Sequence, residues 1–151
     1  MYKEIDLFLN GIKPAILFQN IGRKEEVKKS IIDKFSSMGF YVKEIGDSLL
    51  VVRDMKQLEE KRLGVILGYY PKAVDAFMSG KRRDSKTGKS VLINYCGIQF
   101  NTYDYFEESL AWCNEAYGEK IKKIFGKISV DKMTSYLKED GKVDFNIEEI
   151  V

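Results

Sequence analysis

Residues Leu63 to Gly80 (LGVILGYYPKAVDAFMSG) form the longest apolar passage in an otherwise charge-rich chain, and they are broken in the middle by Gly-Tyr-Tyr-Pro. Tyr69-Tyr70-Pro71 turns the chain, and Pro71, with no backbone N–H and a fixed φ, suits the first position of the next helix. The passage therefore reads as two apolar segments meeting at a corner. The second is a helix that carries Val74, Phe77 and Met78 and ends at Gly80. The rest of the chain has to pack around this corner.

The length bounds what surrounds it. A chain of 151 residues is most simply one domain, residues 1–151. At this size folding removes about 70% of the unfolded chain's surface from water, so no metal or disulfide is needed as a staple. Hydrophobic content of 44% and charged content of 32% fit a globular protein, and 13% aromatic residues supply the area needed to offset ordering entropy.

In chain order, Ile5, Phe8 and Leu9 have helical spacing and predict a short leading helix within residues 1–10, stopped by Gly11. Ile12 to Phe18 (IKPAILF) predicts a short strand with Pro14 at its entrance or on a sheet edge. Arg23 to Met38 is amphipathic through Val27, Ile31, Ile32 and Phe35, with Gly39 placed as its C-terminal cap. Phe40–Ile45 and Ser48–Arg53 predict a hairpin around Gly46-Asp47. The unbroken apolar run Leu49–Val52 implies a strand covered on both faces.

Asp54 is a candidate cap for a helix from Met55 to about Leu67. Val91–Ile93 and Ile98–Asn101 predict strands around a turn at residues 94–97. Asp104–Phe125 predicts a long helix with the stripe Phe106, Leu110, Cys113, Tyr117, Ile121 and Ile124, weakened at Gly118. Ile128–Leu137 reads as a short helix. The acidic end, residues 139–151, reads either as an edge strand at Val143–Ile147 or as a loosely ordered tail. Mixed elements with at least one hairpin give the expected fold class: α+β, a single domain with a small mixed or antiparallel sheet and helices packed on it.

Composition also narrows the chemistry. The chain has no histidine, which removes the usual general base near neutral pH, Ser-His and Cys-His nucleophile systems and imidazole metal ligands. Its two cysteines, Cys96 and Cys113, form no CxxC pair and are expected to be reduced thiols. No apolar run approaches the length of a membrane span, and the opening MYKEIDLF lacks the pattern of a secretory signal. A cytoplasmic protein is expected. A formal net charge of +2 does not indicate a dedicated nucleic-acid binder.

The order GIKPAILF (residues 11–18), a helix, LLVVRDMKQLEE (residues 49–60) and LGVILGYYPKAVDAF (residues 63–77) resembles a family of small bacterial proteins of clostridial-type genomes. That family shows a Lys-Pro-Ala strand, a valine-rich strand ending in Arg and an LGYP corner before a helix. The likeness covers roughly residues 11–117. The corner here carries one added tyrosine, and EKRLG precedes it without the histidine often found there. The resemblance implies a bacterial cytosolic setting and the α+β fold, and it brings no activity with it.

Five features could carry function. Gly64, Gly68, Val74 and Phe77 match the spacing of a helix-turn-helix, with Lys81, Arg82 and Arg83 following. Asp75 would then face phosphates, and a structural corner packed on the sheet is the favoured reading. Thr87-Gly88-Lys89-Ser90 is like the end of a phosphate-binding loop. However, Arg83 stands where that loop needs a glycine, and a strand follows rather than a helix. Cys96, beside Asn94, Tyr95 and Gly97, reads as a buried structural cysteine in preference to a reactive thiol. Cys113 reads as core.

Adjacent carboxylates such as Glu59-Glu60, Glu107-Glu108 and Glu148-Glu149 do not share a helix face and read as solvated charge. Tyr69, Tyr70, Tyr95, Tyr103 and Tyr105 are candidates for a tyrosine-rich binding surface near basic residues. The resulting expectation is a non-enzymatic binding or regulatory module for a protein partner. No catalytic residue, metal, cofactor or membrane contact is expected. The binding residues would be Tyr69, Tyr70, Lys72, Lys81, Arg82, Arg83, Asn94 and Tyr95. The alternatives are nucleic-acid binding through residues 63–83 and small-molecule or nucleotide binding near residues 94–97.

Overall fold

The run Ser48–Val52 (SLLVV) forms the central strand of a three-stranded antiparallel sheet. We describe this from a computed structural model covering residues 2–22, 24–83, 85, 88, 91–133 and 141–149. In chain order β1 is Ala15–Phe18, β2 is Tyr41–Ile45 and β3 is Ser48–Val52, and they lie in the order β1-β3-β2. The β2–β3 turn is Gly46-Asp47, with Gly46 at φ 54°. Leu49, Leu50, Val51 and Val52 are all buried, as a continuously apolar strand requires. Helices α1 (Tyr2–Leu9) and α2 (Glu25–Ser37) cover one face, where Phe8, Ile16, Phe35 and Val51 form a cluster. On the other face Ala15, Leu50 and Val52 pack against Ile66 and Leu67. At about 1.5–3 kcal/mol per buried aliphatic side chain, β3 alone contributes on the order of 10 kcal/mol before entropy is counted.

The second sheet contains β4 (Val91–Tyr95), β5 (Ile98–Asn101), β6 (Gly126–Met133) and β7 (Gly141–Glu149) in the order β5-β4-β7-β6. β4 and β7 are parallel, and the other pairs are antiparallel. Side chains alternate between a buried and a wetter face, the pattern of a sheet covered on one side. Ile93, Tyr95, Ile98, Phe100, Val143 and Phe145 share a core with Phe106, Cys113, Tyr117 and Ile121. The last four come from α5 (Phe106–Cys113), a π-helical turn (Asn114–Gly118) and α6 (Glu119–Ile124). Within this core, the Tyr95 hydroxyl donates to Asn114 Oδ1 at 2.6 Å.

The corner links the two sheets. It comprises α3 (Leu63–Ile66) and α4 (Pro71–Met78), with Pro71 at the start of α4. Tyr69 packs against both cores. Gly68 sits at φ 93°, and a Cβ built there would lie 2.8 Å from Pro14 Cδ and 2.5 Å from the Tyr117 hydroxyl. That hydroxyl donates to the Gly68 carbonyl at 2.5 Å. A Cβ on Gly64 would lie 2.7 Å from Val74 Cγ2, so the Val74 side chain of α4 fills the space that a side chain at position 64 would need. The glycine spacing in this stretch thus has a packing cause.

The α+β class holds, with the strands divided between two sheets. Four local expectations change. Asp54 caps as expected, in a capping box with Gln57, but only a 3₁₀ segment, Met55–Glu59, follows. The Glu60 carboxylate accepts from the Arg62 backbone N–H and from its guanidinium, a local alternative that ends the helix before α3 begins. The long helix, expected to be weakened at Gly118, continues through it but widens into a π turn over Asn114–Gly118. The helix expected over Ile128–Leu137 is instead strand β6 as far as Met133, and the remainder lies outside the described residues. Ile128 and Val130 have the period of a strand, and pairing with β7 decides the outcome. Val143–Ile147 is not an edge strand: β7 lies between β4 and β6, while residues 139, 140, 150 and 151 of the acidic end lie outside the described residues.

Candidate functional site: a groove between the two sheets

The corner roofs a groove of about 740 Å³ that runs between the sheets. Its floor includes Tyr69 stacked on Phe100, with ring centroids 5.2 Å apart and planes at 21°. Burial raises the Tyr69 phenol to about 12. One wall is α4, through Val74, Phe77 and Met78. Leu17 and Gln19 at the end of β1 and Gln99, Phe100 and Asn101 of β5 also line it. Phe77 and Met78 are 51% and 61% exposed, although both are large and apolar. Phe77 lies 6.4 Å from the Tyr103 ring, and the Arg82 guanidinium sits 4.2 Å from the Phe77 centroid. Among the described residues lining the groove, Lys61 is the charged one.

The structure separates the residues selected from sequence. Tyr69 enters the groove, while its neighbour Tyr70 turns toward α5. The Tyr70 hydroxyl donates to Glu108 Oε2 at 2.8 Å, and its ring lies 5.8 Å from Trp112 and 6.4 Å from Tyr105. Lys72 reaches the same carboxylate at 3.4 Å. The Tyr70 hydrogen bond, with help from Lys72, holds the Glu108 carboxyl below the usual range. Lys81 pairs with Asp104 at 2.5 Å and contacts the Ser85 hydroxyl. Burial opposes ionisation of Asp104, but Lys81 and Ser85 outweigh it and lower its pKa. Arg82 donates to the carbonyls of Phe77 and Lys81, which fixes it at the Met78 end of the groove. Arg83 donates to the Gly88 carbonyl at 3.3 Å.

Asn94 and Tyr95 serve the fold. Asn94 donates to Asp144 at 3.1 Å and accepts from the Gly97 N–H at 3.0 Å. Tyr95 is fully buried and so offers no surface, and Tyr103 is 6% exposed. Cys96 and Cys113 are both buried, and burial pushes the Cys113 thiol up to about 12. This is the opposite of thiolate activation. Gly88 is the one described residue of the Thr87–Ser90 segment, and β4 follows directly from Val91.

Sequence reasoning missed Gln19, Gln99 and Asn101 as groove residues, and it missed buried Lys13. The Lys13 ammonium donates to the Ala15 carbonyl at 2.7 Å and pairs with Glu4 at 3.0 Å. Burial lowers its pKa, with Glu4 acting against the shift. The neighbouring apolar residues of IKPAILF carried no sign of a charge held inside. Among the described residues no group of three or more potential metal ligands converges, and no helix is long and apolar enough to cross a membrane. No protein-family model, curated protein or solved structure matches the chain.

Proposed function

We propose that this chain is a non-enzymatic binding module of the bacterial cytosol that engages a protein partner through the inter-sheet groove. The observation that carries this reading is the groove itself, with Phe77 and Met78 exposed at its rim. Contiguous apolar surface left open beside polar residues is characteristic of interaction sites. Aromatic side chains and methionine, with charge kept to the rim, match the composition of interface cores. The Tyr70–Glu108–Lys72 cluster on the far side of the corner holds α4 to α5 and keeps that wall in place.

A photo-crosslinking residue at Met78, expressed in the source cells, tests this reading, with the same residue at Val27 on α2 as control. The expected result is one identified protein adduct at position 78 that is lost when Phe77→Asp is added. Identical adducts from both positions, or none from position 78, would refute the proposal. Nucleic-acid binding through Lys81, Arg82 and Arg83 predicts a salt-sensitive gel shift that the triple alanine variant abolishes. Lys81 already pairs with Asp104, which weakens that reading.

A further inference from the structure

We infer that the occupant of the groove is an extended, apolar peptide segment with acidic flanks, bound by strand addition to the free edge of β5. This rests on the groove being a protein-binding site and names the form the partner takes there.

The argument starts from hydrogen-bond parity. β4 and β5 are joined by the two-residue turn Cys96-Gly97, with both residues at positive φ (55° and 107°), so Tyr95 and Ile98 close the hairpin. In an antiparallel ladder, pairs that exchange hydrogen bonds alternate with pairs that do not. Tyr95–Ile98 and Ile93–Phe100 are therefore bonded pairs, and the Thr102 N–H bond to the Val91 carbonyl continues the same phase. The N–H and C=O groups of Gln99 and Asn101 consequently point away from β4. β5 is the last strand of its sheet, and among the described residues no backbone partner takes up these groups.

The groove lies along that edge. Gln99, Phe100 and Asn101 all line it. Successive strand side chains point to opposite faces, so three consecutive lining residues mean that the groove meets the edge of the strand and not one face. An edge left open in this way is a template for a further strand. α4 and the end of β1, through Leu17 and Gln19, line the same groove, so a strand added to β5 would lie against both.

The lining chemistry selects the same occupant. Apart from Lys61 it is apolar, aromatic or neutral amide, which suits a peptide backbone with apolar side chains and offers no cluster of charges for an anionic metabolite. Two cations stand at the groove: Lys61 lines it, and the Arg82 guanidinium sits 4.2 Å from the centroid of the lining residue Phe77. Acidic residues flanking the apolar segment complement these two cations.

Selection of phage-displayed random dodecapeptides on the intact protein, with Phe77→Asp protein as counter-selection, supplies the probe. The expected peptides alternate apolar residues and carry Asp or Glu at one or both ends. N-methylation of single peptide amides should weaken binding with a period of two, about tenfold at each sensitive position, as expected for loss of one backbone bond at a sterically crowded edge. Gln99→Pro should bind about tenfold more weakly than Gln99→Ala, because both lack the side chain and only proline lacks the N–H. If the proline variant fails to fold, the N-methyl scan decides the matter alone.

Peptides that bind the groove without the period-two pattern would overturn strand addition and leave the protein-binding reading standing. No enriched peptide, alongside a specific adduct at position 78, would overturn this inference and not the function. Absence of both would remove both. A dimer of the free protein that Gln99→Pro converts to monomer would assign the edge to a second copy and overturn the inference.

Discussion

Gly68→Ala and Tyr117→Phe, made singly and together, test whether the corner is locked by contact between Gly68 and Tyr117. Alanine at φ 93° carries a left-handed penalty of about 1–2 kcal/mol. Its Cβ would also meet the Tyr117 hydroxyl at 2.5 Å and the Pro14 ring at 2.8 Å. Pushing the hydroxyl off the Gly68 carbonyl leaves buried polar atoms unpaired, for about 1–3 kcal/mol. The single variant should lose roughly 2–5 kcal/mol, a fall in Tm of about 5–20 °C for a chain of this size. Tyr117→Phe removes the same hydrogen bond for about 1 kcal/mol, and it also removes one of the two clashing partners. The hydroxyl then enters the double variant once, so its loss should fall short of the sum by about 1 kcal/mol, beyond the roughly 0.5 kcal/mol scatter of independent sites. Urea unfolding followed by Trp112 fluorescence is a suitable assay, because the indole packs edge-on against Tyr117 at 5.5 Å. A Gly68→Ala loss under about 0.5 kcal/mol, or an additive cycle, would refute this account of the corner.

Other consequences follow from burial and capping. Native protein should show no reaction of Cys96 or Cys113 with Ellman's reagent, and two thiols on unfolding, since both residues are 0% exposed; a fast native thiol would contradict the packing. Alkali should destabilise the fold. The Cys113 thiol is raised from 9.0 to about 12 and the Tyr69 phenol from 10.0 to about 12. Stability is therefore full below the unfolded values and is lost as pH rises through the folded ones, at about 1.4 kcal/mol per pH unit per group. Lys13, with a lowered pKa, contributes in the opposite sense over part of this range. Cys113→Ala should make the loss of stability between about pH 9 and pH 12 shallower, and an unchanged slope would count against the thiol's contribution. Asp54→Ala should cost about 1 kcal/mol in urea midpoints through loss of the capping box, with Asp54→Asn largely retaining it.

Local features that depend on a few neighbouring residues were legible in the sequence. The unbroken LLVV run announced a strand covered twice, because no alternation was left for a wet face, and both faces are indeed covered. The corner was legible because Pro71 fixes where a helix starts and Gly68 supplies a φ that other residues rarely take. The helix expected over residues 55–67 failed at Glu60, where a carboxylate that a helix would have placed in water binds Arg62 instead and is held at about 2 by it. Periodicity does not register that competition, since Glu and Arg are both good helix formers.

The groove depends on pairings between distant parts of the chain. Its walls come from residues near positions 17, 61–69, 73–78 and 92–103, and no one of these stretches marks a site by itself. Gln99 and Asn101 read as ordinary wet positions of an alternating strand, and their significance rests on which strand becomes the edge. That choice is made by β7, fifty residues beyond β4, where Asn94 meets Asp144 across a parallel pair. Had the acidic end of the chain paired with β5, it would have supplied its own strand to the groove and closed it. Because β7 inserts between β4 and β6, β5 keeps an open edge beneath α4, and the same misplaced strand that concealed the topology from sequence also concealed the site.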